Sequence, residues 1–211
     1  NNAGTINWAN TKPMRVGDAW GTSEGLYQGL ILNNTGTVNW SSTNGVTCYN
    51  GAVVSNQPGA LFDVQGAAQM GAVSGPNLFS PAVFINAGTL RKTGGLSAAY
   101  IGIALTNTGA VQVQRGTLQL GGLTNSGILS VAAGATLALG GDCIFESGGV
   151  LDAAGGGLVE YRWGQFRFSD GAIITAGTTN RVTGGGSRFY GMVNLPNFEL
   201  AGGWMGGSFT N

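Results

Sequence analysis

Histidine is absent from this chain of 211 residues, and charged residues are scarce. Without histidine, neither a Ser-His-Asp or Cys-His catalytic centre nor a histidine-ligated metal site can form. The nine basic and nine acidic residues cancel, so the sequence predicts no basic surface of the kind that binds nucleic acid. No long unbroken run of apolar residues occurs, which argues against a membrane-spanning helix.

Glycine and apolar residues dominate the remaining composition, with 40 glycines and an apolar share of 43%. Disordered chains are poor in apolar residues and rich in charge, and collagen needs glycine at every third position, so both classes are excluded. The composition therefore predicts an ordered, turn-rich, all-β protein. Few Lys and Glu beside many Asn, Ser and Thr favour an extracellular or cell-surface location. A start at Asn1 suggests a processed chain or a segment of a longer repeat protein.

An internal repeat is the strongest signal in the sequence. Residues 105–113 (LTNTGAVQV) align with residues 123–131 (LTNSGILSV), and residues 116–122 (GTLQLGG) align with residues 135–141 (ATLALGG). Each unit consists of a turn, a short alternating strand, a second turn and a second alternating strand. Leu118 and Leu137 are therefore expected at equivalent inward positions one unit apart.

The first half of the unit, Asn-x-Gly followed by alternating apolar residues, recurs at irregular intervals along the chain. Its copies begin at Asn2, Asn34, Asn86, Asn107 and Asn125, and Lys92 takes the last apolar position of the third copy. Asn and Gly suit the corners of a coil because both tolerate the left-handed backbone region. Asn side chains in successive corners are expected to stack as a hydrogen-bonded ladder.

A unit of about 20 residues is too short for a βαβ crossover and fits one coil of a solenoid. The sequence therefore predicts a single domain over residues 1–211, a right-handed parallel β-helix of about nine to eleven coils. A β-sandwich of hairpins is the alternative fold. Hairpins favour two-residue Asn-Gly turns, however, and only Asn44-Gly45 and Asn50-Gly51 offer that pair.

Three segments carry a resemblance to a known class of proteins. Residues 62–66 (FDVQG), 88–95 (GTLRKTGG) and 116–122 (GTLQLGG) resemble repeats of secreted bacterial β-solenoid proteins, similar to autotransporter passengers and filamentous-haemagglutinin-type surface proteins. The resemblance covers about residues 1–160. It implies a right-handed β-helix, secretion, and a role in adhesion, matrix or filament formation, and it transfers no catalytic residue.

Catalytic and metal sites have little support in the sequence. Asp142, Glu146, Asp152 and Glu160 lie close together along the chain, and two carboxylates are the minimum for glycoside hydrolysis. A carbohydrate-binding or carbohydrate-active β-helix, a lyase or hydrolase, is therefore the alternative function. Chance alone brings some of nine acidic residues together, so we expect no enzyme, no catalytic residue and no cofactor. No Gly-Gly-x-Gly-x-Asp calcium repeat occurs, so no metal site is expected.

We expect the cysteines and some of the aromatic residues to be buried in the core. Cys48 and Cys143 are expected to be separate buried residues, because their separation in the sequence places them several coils apart. Trp8 and Trp40 share the repeat position of Val113, which predicts burial. Four aromatic residues near the C-terminal end are the candidates for stacking on a sugar, with a surface polysaccharide as the partner: Tyr161, Trp163, Phe189 and Tyr190.

The two ends of the solenoid are the leading candidates for an interface. A parallel solenoid leaves unpaired backbone groups at each end, and monomeric solenoids cover them with polar caps. Here both ends are apolar, with candidate interface residues Asn2, Ile6, Trp8, Trp204, Met205 and Phe209. The sequence therefore predicts a non-enzymatic extracellular structural protein. Its expected partner is itself, head to tail in a fibre, or adjoining repeats of a long surface adhesin.

Overall fold

The computed structural model describes residues 1–9, 14–16, 30–49, 51–72, 80–153, 155–192 and 194–210, and these form strands and turns without a helix. None of these residues belongs to a helix long and apolar enough to cross a membrane. The strands are β1 Thr5–Trp8, β2 Met14–Val16, β3 Ile31–Asn34, β4 Thr37–Trp40, β5 Val46–Cys48, β6 Val53–Asn56, β7 Leu61–Val64, β8 Gln69–Ala72, β9 Val83–Asn86, β10 Thr89–Lys92, β11 Ala98–Ile101, β12 Ala104–Asn107, β13 Ala110–Val113, β14 Thr117–Leu120, β15 Leu123–Asn125, β16 Ile128–Val131, β17 Thr136–Phe145, β18 Val150–Asp152, β19 Leu158–Phe168, β20 Ile173–Ile174, β21 Thr179–Val182, β22 Ser187–Met192, β23 Phe198–Leu200 and β24 Met205–Thr210.

The strands stack in parallel as a three-faced β-solenoid of about eight turns. Face 1 is an eight-stranded sheet from β1 to β20. Face 2 runs from β2 through β5, β8, β11 and β14, and face 3 from β3 through β6, β9, β12 and β15. The long strands β17 and β19 cross the corner between faces 2 and 3 and join these two faces into one sheet.

The expected nine to eleven coils are too many. The chain forms about eight turns, so an average turn is longer than the unit that the repeat predicts. The stretch from Asn2 to Asn34 holds a single turn, since these two residues form a direct parallel bridge. The sequence also breaks the repeat pattern at residues 12–15 and, with Pro76 and Pro81, predicts a loop at 71–81; both stretches fall partly outside the described residues.

Alternation along the strands builds the core as predicted. Leu118 and Leu137 are register partners on adjacent turns, and both are fully buried. Trp8 and Trp40 also pair and point inward, where their rings meet edge to face at 6.4 Å. Residues 158–168 (LVEYRWGQFRF) alternate apolar and polar side chains and predict a strand, and they form the long strand β19.

The two cysteines are free and buried, as the sequence predicts. Burial raises the pKa of the Cys48 thiol to about 11. The same effect, with the Asp142 charge, raises the pKa of Cys143 to about 12. Both thiols are therefore protonated at neutral pH and act as small apolar side chains.

The predicted asparagine ladder lines the corner between faces 3 and 1. Each Asn Nδ2 donates to the Oδ1 of the next, over distances of 2.7–2.8 Å. The side chains also donate to the backbone carbonyls of neighbouring turns, as Asn86 does to Ala110. The ladder runs through Asn2, Asn34, Asn56, Asn86, Asn107 and Asn125. It satisfies backbone groups that the corner buries, and in doing so fixes the register of each turn.

Replacing one ladder residue is expected to destabilise the fold substantially. Asn86→Leu removes the donor to Asn107 and the acceptor of Asn56, so we expect a loss of about 2–3 kcal/mol in the free energy of unfolding. Asn39→Leu is the matched control, because Asn39 is partly exposed and bonds only at the surface. Urea unfolding measures both variants. Equal midpoints would mean that the ladder contributes no more than a surface pair.

Candidate functional site

The core is partly exposed at both ends of the solenoid. At the first end, Ile6 and Leu32 continue core columns but are only partly buried. At the other end the same is true of Ile174 and Phe198, and Met205 is a partly buried residue that packs against the core. Within the described part of the chain, β1, β2 and β3 each have one paired neighbour, and so do β20, β23 and β24. Both ends therefore offer apolar surface and unpaired strand edges.

The candidate interface residues fall in these end turns. Asn2 and Trp8 are buried, Ile6 and Met205 are half-buried, and Trp204 is exposed over 54% of its surface. The side chain of Phe209 lies outside the described residues, although its backbone pairs in β24. The end surfaces thus consist of partly buried core residues, together with one exposed tryptophan at the second end.

The corner column of asparagines differs between the two ends. Asn34 Oδ1 accepts from Asn2 Nδ2 at 2.7 Å and from the Gly36 N–H at 3.2 Å. Asn2 Oδ1 accepts from the Gly4 N–H at 3.1 Å and, among the described residues, from no asparagine. After Asn125 the column continues with Phe145 and Phe168, which stack at 4.6 Å. The first end can therefore accept a further amide donor, whereas the column changes to aromatic residues towards the other end.

Two of the four sugar-stacking candidates belong to the core, which corrects that expectation for them. Tyr161 and Phe189 are fully buried, and their rings pack 5.1 Å apart. The Tyr161 hydroxyl donates to Asn180 Oδ1 at 3.0 Å, and burial raises the pKa of this phenol. Neither ring has a face available to a ligand. Trp163 is exposed over 45% of its surface, and Tyr190 is half-buried beneath Arg167.

The corner between faces 2 and 3 is built from glycines, and two aromatic rings lie on it. We call it the glycine corner: Gly102, Gly121, Gly122, Gly140 and Gly141. A Cβ on Gly140 would come within 2.7 Å of Trp163 Cε2, and one on Gly121 within 2.7 Å of the Tyr100 hydroxyl. These rings can therefore approach the backbone only because glycine has no side chain.

A shallow groove of about 440 Å³ adjoins the glycine corner. Asp142 and Thr106 are exposed at its edges and Thr124 is half-buried. It is lined by Ala104, Leu105, Thr106, Gly121, Gly122, Leu123, Thr124, Gly141 and Asp142. Sequence reasoning missed this site and Tyr100. The paired glycines at 121–122 and 140–141, one turn apart, are the signal that could have found it.

The four clustered acidic residues are not brought together. Glu160 pairs with Arg162 at 2.9 Å, and Asp152 and Glu146 accept from Thr175 and Ser169 respectively. Asp142 lies at the glycine corner and forms no ion pair with another described residue. No group of three potential metal ligands occurs among the described residues. The arrangement therefore offers no pair of carboxylates facing each other across a cleft.

Lys92 is the one lysine placed in the described core. It lies between Val64 and Val113 in register, is fully buried, and donates to the Gly94 carbonyl. Burial lowers the pKa of Lys92, with Asp63 opposing and Arg115 adding to the effect. On the outer face, Asp63 pairs with Arg91 at 3.1 Å.

The chain matches no protein-family model, no curated protein and no solved structure. The β-solenoid architecture therefore rests on the strand register itself. A likeness to autotransporter passengers or haemagglutinin-type proteins gains no support from these comparisons.

Proposed function

We propose that this chain is a non-enzymatic extracellular structural module that stacks further parallel coils on its ends. The added coils belong either to other copies, giving a fibre, or to adjoining repeats of a long surface adhesin. The partly exposed core at both ends is the observation that carries this proposal, because Ile6, Leu32, Ile174 and Phe198 continue columns that are fully buried elsewhere. A further coil would complete that burial.

The parallel topology supports growth in one direction. The two ends are different surfaces, so a contact between them is heterologous and does not close on itself. Each end strand has backbone groups free to pair on its outer side, within the described residues. A net charge of zero removes long-range repulsion between modules.

The asparagine column favours a particular kind of added coil. Asn2 Oδ1 accepts a hydrogen bond from the Gly4 N–H and can accept a second one from an amide donor, just as Asn34 Oδ1 accepts from Asn2 Nδ2. A second copy stacked directly would place the position of Phe209 next to Asn2, because Phe209 follows Gly191 and Phe168 in the same column. A coil with Asn at its corner would donate a side-chain N–H to Asn2 Oδ1, which a coil with Phe at that position cannot do. This favours adjoining repeats over an uninterrupted stack of identical copies.

Association of the purified chain tests the proposal. We expect sedimentation to show species that grow with concentration. Ile6→Lys with Met205→Lys places charges on both ends and should raise the concentration for half-assembly at least about tenfold. Ile128→Lys with Leu96→Lys is the matched control, because these apolar residues are exposed on the flanks at 51% and 77%. The control should assemble like the parent.

The adhesin form needs its own measurement. A single coil copied from residues 105–125 and fused ahead of Asn2 should raise the melting temperature, and the same fusion with Asn107→Ala in the copied coil should raise it less. A chain that stays monomeric at every concentration, and that gains nothing from either fusion, would show that its ends do not accept coils.

A further inference from the structure

We propose that the groove beside the glycine corner is a binding site for a neutral oligosaccharide, with Trp163 and Tyr100 as stacking rings and Asp142, Thr106 and Thr124 as hydroxyl partners. This inference does not depend on stacking at the ends, because the groove lies on the flank of the solenoid. It rests on four features of the described residues: a gap in a side-chain column, two rings at its border, polar groups without protein partners, and the local charge.

The gap arises where glycine interrupts an outward-facing column. Ala104 and Asp142 flank Gly122, whose missing Cβ would lie 4.0 Å from the Ala104 Cα and 3.6 Å from the Asp142 carbonyl oxygen. These are ordinary van der Waals distances, so a side chain would fit and none is present. The groove is therefore open because of residue choice at position 122, and its volume of about 440 Å³ suits a small ligand.

The two rings lie next to glycines that line this groove. Gly121 lines the groove and also meets the Tyr100 hydroxyl. Gly141 lines it as well, and a Cβ there would lie 3.6 Å from Trp163 Cζ3. The Trp163 ring lies against glycine backbone, and 45% of the surface of this residue is exposed. A flat, supported indole is suited to the C–H face of a pyranose ring, since the indole provides large apolar area at little cost in side-chain entropy.

Polar groups at the groove are available for a ligand. Within the described residues, the carboxylate of Asp142 forms no ion pair, and neither it nor the hydroxyls of Thr106 and Thr124 form a hydrogen bond. Most other described acidic residues have a side-chain partner, as Glu160 has in Arg162 and Asp152 has in Thr175. A carboxylate accepts two hydrogen bonds from neighbouring sugar hydroxyls, and threonine both donates and accepts.

Charge and backbone pairing select the class of ligand. The lining contains one acidic residue and no basic residue, which disfavours anionic polysaccharides. Peptide binding by strand addition needs a free backbone edge. Here the backbone is paired between turns, as the Leu105 N–H is with the Gly122 carbonyl at 3.1 Å. A neutral sugar chain matches the rings, the hydroxyls and the charge together.

Titration of the purified chain with neutral hexasaccharides of glucose, xylose, mannose and galactose tests this site. Calorimetry and tryptophan fluorescence should detect binding of at least one of them. Trp163→Ala should weaken that binding at least about tenfold, with partial recovery in Trp163→Phe. Gly122→Val should abolish it by filling the groove, and Asp142→Asn should weaken it.

Trp204→Ala is the matched control. Trp204 is also exposed and also lies beside glycines, Gly186 and Gly206, but it carries Arg188 at 5.8 Å, and neither of these glycines lines the groove. This variant should bind like the parent. If Trp163→Ala fails to fold, Gly122→Val decides, since its side chain enters open space. Binding of none of the sugars up to about millimolar concentration, equal binding of oligogalacturonate, or binding that Gly122→Val leaves unchanged would each overturn the proposal.

Discussion

Leu118→Asp is expected to prevent stable folding of the central turns. Leu118 is fully buried between its register partners Ala99 and Leu137, so the substitution places a carboxylate in a column of apolar side chains. None of the described residues in that column is basic. An unpaired buried charge of this kind costs more than about 4 kcal/mol, which is among the largest effects of single substitutions.

The repeat architecture determines how this loss of stability appears in an unfolding experiment. Each turn contacts only its neighbours, so disruption of a central turn separates the solenoid into two shorter stacks. Thermal unfolding followed by circular dichroism should show either an unfolded protein or a lower, broader transition. Gln112→Asp is the control, because Gln112 is a partly exposed neighbour of Arg91 on the outer face. If Leu118→Asp melts within a few degrees of the parent, the inward register assigned to Leu118 is wrong.

The repeat was readable from the sequence because most corners have one form. Asn34, Asn86, Asn107 and Asn125 each stand two positions before a glycine, and the next strand begins directly after that glycine. Asn56 belongs to the same ladder but is followed by a longer corner, with Pro58 and Gly59 before β7. That corner hid this turn within the long interval between Asn34 and Asn86. The Asn56 side chain forms the same hydrogen bonds with Asn34 and Asn86. Membership of the ladder therefore depends on position in the folded structure and not on a fixed interval in the sequence.

The aromatic residues show a different limit of prediction from the sequence. Tyr161 continues the inward column of Leu120 and Leu139, so the register alone predicts its burial once the turns are aligned. Trp163 is harder to place. The register shifts between Leu139 and Gly140, where Arg162 is an extra residue, and this bulge changes the phase of alternation. The exposure of Trp163 therefore depends on one inserted residue that a pattern of alternation does not reveal.

Lys92→Met is expected to stabilise the protein. Lys92 lies in a column whose other members are apolar, and its burial costs solvation of the ammonium group. Methionine has a similar length and fills the same space without charge. The Gly94 carbonyl loses its donor, which offsets part of the gain. We expect a net increase of about 1–3 kcal/mol in the free energy of unfolding at pH 7.

The pH dependence distinguishes this effect from better packing alone. The folded state holds the pKa of Lys92 below its ordinary value of 10.5, because burial and Arg115 outweigh the attraction of Asp63. Between the folded and unfolded pKa values, the unfolded chain binds more protons than the folded one. Its free energy of unfolding therefore rises with pH in that interval. The advantage of Lys92→Met should accordingly be full below the interval and shrink as the pH approaches 10.5. Asp63 titrates in a separate acidic range, since the pKa of its carboxyl is lowered by hydrogen bonds and Arg91 despite burial.

Urea unfolding at several pH values, from neutral to the ordinary pKa of lysine, measures this difference. Arg115→Met removes an exposed positive charge on the same turn and serves as the comparison; because Arg115 also repels Lys92, we expect a small gain from this variant. It should leave stability at pH 7 within about 0.5 kcal/mol of the parent. An advantage of Lys92→Met that is constant with pH would assign the gain to packing. A loss at every pH would mean that the ammonium bond to Gly94 holds that corner together, and that the solenoid depends on its buried lysine as it does on its asparagines.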